Sequence, residues 1–294
     1  MKRIFEFIVN PVAGPKDNIK YFKQLKRKLN EREIPFDSKK TKRAGHAPKL
    51  VKKRLLNPEA VMASVGGDGT FNEVASLLVG TSRSMAHIPR GSGNGLARML
   101  KIPHRVGQIP DYLEHGVVRA IDVGKINNDY FFCTCGFGFD ALIAHDFSNS
   151  TTRGFWTYAR SVLTKFWSYR GVETRMILDG EEISGRFFSV TIANANQYGN
   201  DAFIAPHADL QDGLVDVTFI RPFPLIMAPV VGMALMGKWI HKLPYVQMRQ
   251  VKTVEISQVS SSTYFHCDGD VYDAQMPVKI GVNEKALNLL VPEH

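Results

Sequence analysis

The chain has 294 residues, of which 44% are hydrophobic and 22% charged, with three cysteines and a formal net charge of +9. That length and composition suit one large or two ordinary globular domains, and exclude a disulfide scaffold, a low-complexity chain and a metal-stapled mini-domain. Cys133, Cys135 and Cys267 are odd in number and have no second pair at zinc spacing, which fits a reducing compartment.

The positive balance favours phosphorylated ligands or anionic lipid surfaces. No paired Cys/His spacing or RNP-like aromatic strand accompanies it, so nucleic acid is not expected as a partner. The first residues contain Glu6 in a strand-like run and no small-residue cleavage site, so no signal peptide is expected.

Residues 3–9 are β-branched and aromatic, and Asn10-Pro11 with Gly14 ends them as a strand. Asp17 is placed to cap a helix over about 18–32, with Phe22, Leu25 and Leu29 at helical spacing. A strand over 35–40, a helix over 47–56 and a strand over 60–65 follow. Glycines at 66–69 break that strand, and 71–79 is helical. A strand over 85–88, a glycine-rich turn over 89–95 and a short helix over 96–100 complete the alternation. Strands alternating with helices at this interval predict a largely parallel sheet covered on both faces.

Near residue 121 the texture changes. Runs at 123–126 and 130–135 flank the turn Asn127-Asn128-Asp129 and predict a hairpin. Further strands are expected over 174–178, 187–193, 214–220, 253–257, 263–267 and 278–282, with Asp179-Gly180 as a hairpin turn. Helices are expected over 140–146, 156–169 and 227–240. The reading is an α/β domain with a mainly parallel sheet over 1–122 and a mainly antiparallel β domain over 123–294, the last strand packing back on the first domain. The apolar stretch 222–237 is too short and too rich in proline (Pro222, Pro224, Pro229) to span a membrane. Core burial is its main reading and membrane contact its second.

The chemistry centres on Gly66-Gly67-Asp68-Gly69-Thr70-Phe71-Asn72-Glu73. An apolar strand runs into glycines and then a helix, the arrangement in which main-chain N–H groups and a helix N-terminus receive a phosphate. Thr70 and Glu73 have capping-box spacing, and a plain capped turn is the alternative. Neither a Walker A loop nor a G-x-G-x-x-G fingerprint is present. Pro89-Arg90-Gly91-Ser92-Gly93-Asn94-Gly95 and Asn10-Pro11-Val12-Ala13-Gly14 also follow strands, so in a parallel sheet all three loops open on the carboxyl rim where ligands bind.

These pieces, together with Thr41…Gly45-His46-Ala47, Ile121-Asp122-Val123-Gly124, Gly136-Phe137-Gly138-Phe139-Asp140, Asp212-Gly213-Leu214 and Asp268-Gly269-Asp270, resemble the diacylglycerol kinase catalytic family. That family includes sphingosine, ceramide and bacterial lipid kinases and is related to NAD kinases. The resemblance runs nearly the whole chain with its motifs in order.

It implies the NAD kinase/diacylglycerol kinase-like two-domain fold and an ATP-dependent phosphotransferase acting on a lipid hydroxyl, of a sphingoid base or diacylglycerol. Asn10, Pro11, Val12, Ala13, Gly14, Thr41, Gly66, Gly67, Asp68, Gly69, Thr70, Phe71, Asn72, Glu73, Gly91, Ser92 and Asn94 would hold ATP between the two domains. Asp209, Asp212 and Leu214 would bind Mg2+, an ion that takes oxygen ligands. Asp68, or the pair Asp268 and Asp270, would serve as general base. The family usually has glutamate where Asp270 stands. Asp140 would meet an amino-alcohol headgroup, with a helix cap as its alternative. Phe147, Phe155, Trp156, Tyr158, Phe166 and Trp167 would line an acyl channel or form plain core. The expected setting is cytoplasmic, with transient contact at the inner membrane face, and a homodimer is left open. A soluble NAD kinase and a catalytically silent lipid or nucleotide sensor are the rival readings.

Overall fold

The computed structural model describes residues 3–14, 18–54, 57–148, 164–166, 168–260 and 264–293. The chain forms two compact units, Met1–Val123 with Glu284–His294, and Gly124–Asn283. Both crossing points fall inside strands, β5 (Val117–Ile126) and β16 (Val278–Val291).

In the first unit β1 (Phe5–Val9), β2 (Phe36–Lys40), β3 (Val61–Gly66) and β4 (Ser84–Pro89) run parallel in the order β2-β1-β3-β4. The far end of β16 joins β4, also parallel, through Asn288 and Leu289. Every residue of β1 and β3 is buried, as expected for strands covered on both faces. Helix α1 (Asn18–Glu31) lays Phe22, Leu25 and Leu29 on the same core as Phe7, Val9 and Val61. Each such side chain contributes about 1.5–3 kcal/mol by leaving water. Ile34 and Glu33 donate back to the Leu29 and Asn30 carbonyls, both at 3.0 Å, and Glu33 has a φ of 53°. This is a Schellman stop with glutamate at the left-handed position that glycine fills most easily. Asp17, the expected cap at the other end, lies outside the described residues.

Helices α2 (Ala47–Arg54), α3 (Asp68–Ala75), α4 (Gly95–Met99) and α5 (Ile109–His115) complete this unit. The expected capping box does not form. Helix α3 starts at Asp68 with Gly67 as its cap residue, so Thr70 lies inside the first turn and its side chain serves Asn10 instead.

The second unit is a sandwich of antiparallel sheets. One has the order β16-β13-β8-β9, from the near end of β16, β13 (Thr253–Val259), β8 (Val172–Leu178) and β9 (Glu181–Phe187). The other runs β12-β11-β10-β7-β14-β15: β12 (Val246–Val251), β11 (Val215–Ile220), β10 (Ser189–Ala193), β7 (Thr134–Gly138), β14 (Phe265–Cys267) and β15 (Asp270–Tyr272). Phe137, Val190, Ile192, Val217, Phe219 and Phe265 meet Met176, Val254, Ile256 and Val278 between them. The mainly parallel and mainly antiparallel halves are as the sequence predicts.

Two local expectations need correction. The run 130–135 is not one strand: β6 (Asp129–Phe131) pairs with β5, whereas β7 begins at Thr134 and joins the other sheet. The segment 222–237 is not simply core. In α7 (Ala228–Met236) Val231 and Ala234 are buried while Met233 and Met236 are exposed. The hairpin at Asp179-Gly180 is present, with both residues at positive φ. Of the helix expected over 156–169, residues 156–163 and 167 lie outside the described residues, as do Phe155, Trp156, Tyr158 and Trp167 of the aromatic run.

Candidate active site

Three loops meet at the carboxyl end of the first unit's sheet. Asn10 ends β1: its amide donates to Val65 at 2.9 Å, its Nδ2 to Thr70 Oγ1 at 3.0 Å, and its Oδ1 accepts from Val12 N–H at 3.1 Å. The Asn10 carbonyl in turn accepts from Asn18 Nδ2. The loop after β1 is thereby fixed to the first turn of α3. Gly14, at φ 85°, packs so closely on the Arg90 carbonyl that any Cβ there would collide with it. Gly67 and Gly91 face each other: a Cβ on Gly91 would stand 2.6 Å from the Gly67 Cα. Backbone approaches backbone at this meeting point because glycine removes the side chains that would hold the loops apart.

Asp68 ties two of these loops together. Its Oδ2 accepts from Asn94 N–H at 2.8 Å and its Oδ1 from Gly95 N–H at 3.1 Å. Asn94, at φ 51°, closes its own loop by bonding both the amide and the carbonyl of Gly91. Glu73 reaches a fourth loop, accepting from Gly45 and Ala47 amides at 2.8 and 3.2 Å. Thr41 is buried, with its amide on the Val9 carbonyl at 2.8 Å. Ser92 is exposed at the loop crest.

In the second unit the acidic residues form separate groups. Asp268 lies in the tight turn between β14 and β15, at φ 51°. Its carboxylate accepts from the amides of Phe132, Cys133 and Thr134, at 2.9, 2.8 and 3.2 Å for the best oxygen of each. Asp270, two residues on, is exposed on β15. Asp140, in the first turn of α6 (Phe139–Ser148), accepts from Tyr198 OH at 2.9 Å and Thr191 Oγ1 at 3.1 Å, and pairs with His266 Nε2 at 3.1 Å. Burial pushes its carboxyl up, but His266 and these hydrogen bonds outweigh burial and hold it below the usual carboxylate range.

Asp209 and Asp212 are exposed and each accepts an amide of its own turn, Gln211 N–H and Leu214 N–H, both at 3.0 Å. Behind them Asp216 is buried in β11, and burial pushes its carboxyl up to about 6, with Asp212 adding to the rise.

The Diacylglycerol kinase catalytic domain description matches residues 5–126, and that of the YegS C-terminal NAD kinase beta sandwich-like domain matches 133–291. The chain belongs to the diacylglycerol kinase family. A diacylglycerol kinase of Bacillus subtilis (strain 168) is 27% identical over all of this chain and 97% of its own length. One of Mycobacterium tuberculosis is 30% identical over 80% of this chain and 78% of its own. A probable YegS-like lipid kinase of Pseudomonas aeruginosa is 30% identical over 66% and 65%. A solved structure described as a putative diacylglycerol kinase from Bacillus anthracis superposes with a TM-score of 0.79 at 18% identity, covering 99% of this chain and 97% of that one.

This kinase is thus a lipid kinase, a phosphotransferase with an alcohol group as acceptor. Of the residues expected from sequence, the structure brings Asn10 to Gly14, Gly66 to Thr70, Gly91 and Asn94 together at one rim, and links Glu73 to the Gly45–Ala47 segment. Asp209, Asp212 and Leu214 share one turn region with Asp216. Three residues of the kinase carried no assignment from sequence. Arg90 stacks 4.0 Å over the Tyr21 ring and bonds Asn18 Oδ1 from inside the glycine cluster. Asp216 and His266 each sit in a strand whose neighbours are apolar or aromatic. A charged or titratable residue buried in such a run is the signal that marks them.

The kinase offers magnesium an all-oxygen donor set: the Asp209 and Asp212 carboxylates and the Leu214 carbonyl. Asp216 adds a buried carboxyl that burial makes costly to ionise and that a nearby cation would favour in its charged form. The donor chemistry suits the ion, whereas the three titratable side chains that the described residues draw within 4.8 Å of one another are Asp111, Glu114 and His115 of the first unit. No helix among the described residues is long and apolar enough to cross a membrane.

Proposed function

We propose that this kinase transfers the γ-phosphate of ATP to the hydroxyl of a diacylglycerol. The observation that carries the nucleotide half is the close backbone contact of the three loops, where Gly14 abuts the Arg90 carbonyl and Gly67 abuts Gly91. The first turn of α3, whose amides have no acceptor within the helix, and the Arg90 guanidinium suit a polyphosphate, whose charge is stabilised by fixed donors. Asp68 positions that cradle by clamping the Asn94 and Gly95 amides.

The choice of acceptor follows from Asp140. Its carboxylate already serves Tyr198, Thr191 and His266, so a sphingoid ammonium would have to displace one of them. A neutral diacylglycerol needs no such partner, and several relatives carry the name diacylglycerol kinase. The general base is Asp270. Both oxygens of Asp68 and of Asp268 bind main-chain amides and hold loops in place, while Asp270 is exposed on the Asp268-Gly269-Asp270 turn, where a carboxylate would orient the acceptor hydroxyl and take its proton. Asp268 pins that turn to residues 132–134. Magnesium would be held by Asp209, Asp212 and Leu214, and would supply positive charge against the carboxylates there.

The test is transfer from radiolabelled ATP to diacylglycerol, ceramide, a sphingoid base and NAD, each offered in detergent micelles with magnesium. Diacylglycerol should be labelled at least ~10-fold faster than the sphingoid base. Label confined to NAD, or appearing in no acceptor, overturns the reading.

A further inference from the structure

The segment from Arg221 to Lys242 has a surface that the chemistry above does not use. Helix α7 has the sequence Ala-Pro-Val-Val-Gly-Met-Ala-Leu-Met, with no polar or charged side chain in nine residues. One face is satisfied: Val231 and Ala234 pack with Ile240 and Leu243. The opposite face is not. Met233 and Met236 are 58% and 67% exposed, and Ile226, in the 3-10 turn Leu225–Met227 that leads into the helix, is 83% exposed. Gly232 lies between them with open space above it. Positions 229, 232, 233 and 236 recur at helical spacing, so Pro229, Gly232, Met233 and Met236 form one continuous apolar strip. An exposed helix face lacking every polar residue is a marked departure from an ordinary solvated helix.

The segment that carries this strip bears charge of one sign only. No aspartate or glutamate occurs between Asp216 and Glu255, whereas Arg221, Lys238 and Lys242 are all exposed. Lys238 is held at the helix end, its ammonium 4.4 Å over the Phe203 ring. Acids that neighbouring elements bring towards the segment are Asp201, two residues before Phe203, and Asp209, two residues after His207, whose ring lies 4.8 Å from that of His241. The helix is about 14 Å long, too short to cross a bilayer and the right size to lie in its interface.

We infer that α7 with its flanking 3-10 turn is the surface by which this kinase docks on an anionic phospholipid membrane. Ile226, Met233 and Met236 enter the acyl boundary, and Arg221, Lys238 and Lys242 meet the phosphate headgroups. A second copy of the chain is the poorer occupant, because a two-fold contact through this strip would bring the cationic rims Arg221, Lys238 and Lys242 together. The inference extends the lipid-kinase reading, since a membrane-resident acceptor must be reached at a membrane. It stands on the surface alone and is measured without turnover.

The experiment is co-sedimentation of the full chain with vesicles of pure phosphatidylglycerol and of pure phosphatidylcholine, without ATP. Wild type should partition onto phosphatidylglycerol and release as salt rises, because screening removes the lysine and arginine contribution. The double variant Met233→Glu/Met236→Glu should lose at least ~10-fold in vesicle partition while keeping its thermal midpoint and its activity on detergent-dispersed lipid. Lys238→Glu/Lys242→Glu should weaken binding to phosphatidylglycerol selectively. Unchanged partition of the methionine variant, or wild type that ignores phosphatidylglycerol vesicles, overturns the inference. So does a wild-type dimer in sedimentation that becomes monomeric in the methionine variant, since a second copy then covers the strip. Loss of vesicle binding in a protein that labels no lipid in micelles would instead sink the proposed reaction and leave the docking surface standing.

Discussion

In the first unit the Asp68 carboxylate joins two separate glycine loops through the Asn94 and Gly95 amides, while in the second the Asp268 carboxylate gathers three consecutive amides of one connection. Each aspartate is held by main chain, yet the surroundings differ in sign. The first unit presents glycine backbone, amides and Arg90, which suits an anion. The second presents the exposed carboxylates of Asp209, Asp212 and Asp270, with Asp216 buried in β11.

Substitutions at the second unit's turn should separate the two aspartates most strongly. Asp270→Asn should lower kcat by roughly 10³-fold with an unchanged thermal midpoint, whereas Asp270→Glu, the residue usual in the family, should stay within about tenfold of wild type. Asp268→Asn should lower activity and the midpoint together, because three buried amides lose their charged acceptor. Equal behaviour of the two asparagine variants would remove the distinction between base and clamp. In the first unit, Gly91→Ala places a Cβ 2.6 Å from the Gly67 Cα and forces the loops apart. It should cost about 10²-fold in kcat/KM and weaken nucleotide binding, measured by calorimetric titration.

The stability tests have opposite signs in the two units. Asp216, raised to about 6, binds its proton more tightly in the folded state, so it opposes folding above that pH and ceases to do so as pH falls below about 4. Asp216→Asn should therefore stabilise the chain at pH 7 by up to about 3 kcal/mol in chelator, and magnesium should raise the thermal midpoint of wild type more than that of Asp212→Asn. His87, buried against Ser64 Oγ at 2.8 Å, is pushed down to about 3 by burial. The unfolded chain binds that proton first, so stability is lost as pH drops from 6.5 towards 3, by roughly 2 kcal/mol at pH 5. His87→Met should flatten that slope in a urea titration at each pH. The smallest effect is at the end of α1: Glu33→Gly should add about 1 kcal/mol, because glycine takes the left-handed position without strain.

Much of this was legible in the sequence, and the reason is local. The strand–glycine–helix units at 10–14, 66–70 and 89–95 are punctuated by residues whose backbone freedom declares the turn, and Asp179-Gly180 declares its hairpin in the same way. Long-range choices were not legible. Nothing near Thr70 and Glu73 says that one will hold Asn10 and the other the 45–47 loop, so a capping box was the natural local reading. The run 130–135 looks continuous because its division depends on partners in two different sheets, β5 for one half and β10 for the other. Asp140 looked available for a headgroup because Tyr198 and His266 arrive from distant parts of the chain. The apolar run 222–237 predicted a helix but could not tell which face would be covered.

The central claim is tested most directly by incubating the purified chain with ATP, magnesium and diacylglycerol micelles, with the product identified by mass spectrometry. The account predicts phosphatidic acid, made by wild type and reduced roughly 10³-fold by Asp270→Asn. Wild type that forms no phosphatidic acid, or an Asp270→Asn variant that forms it at the wild-type rate, would contradict it.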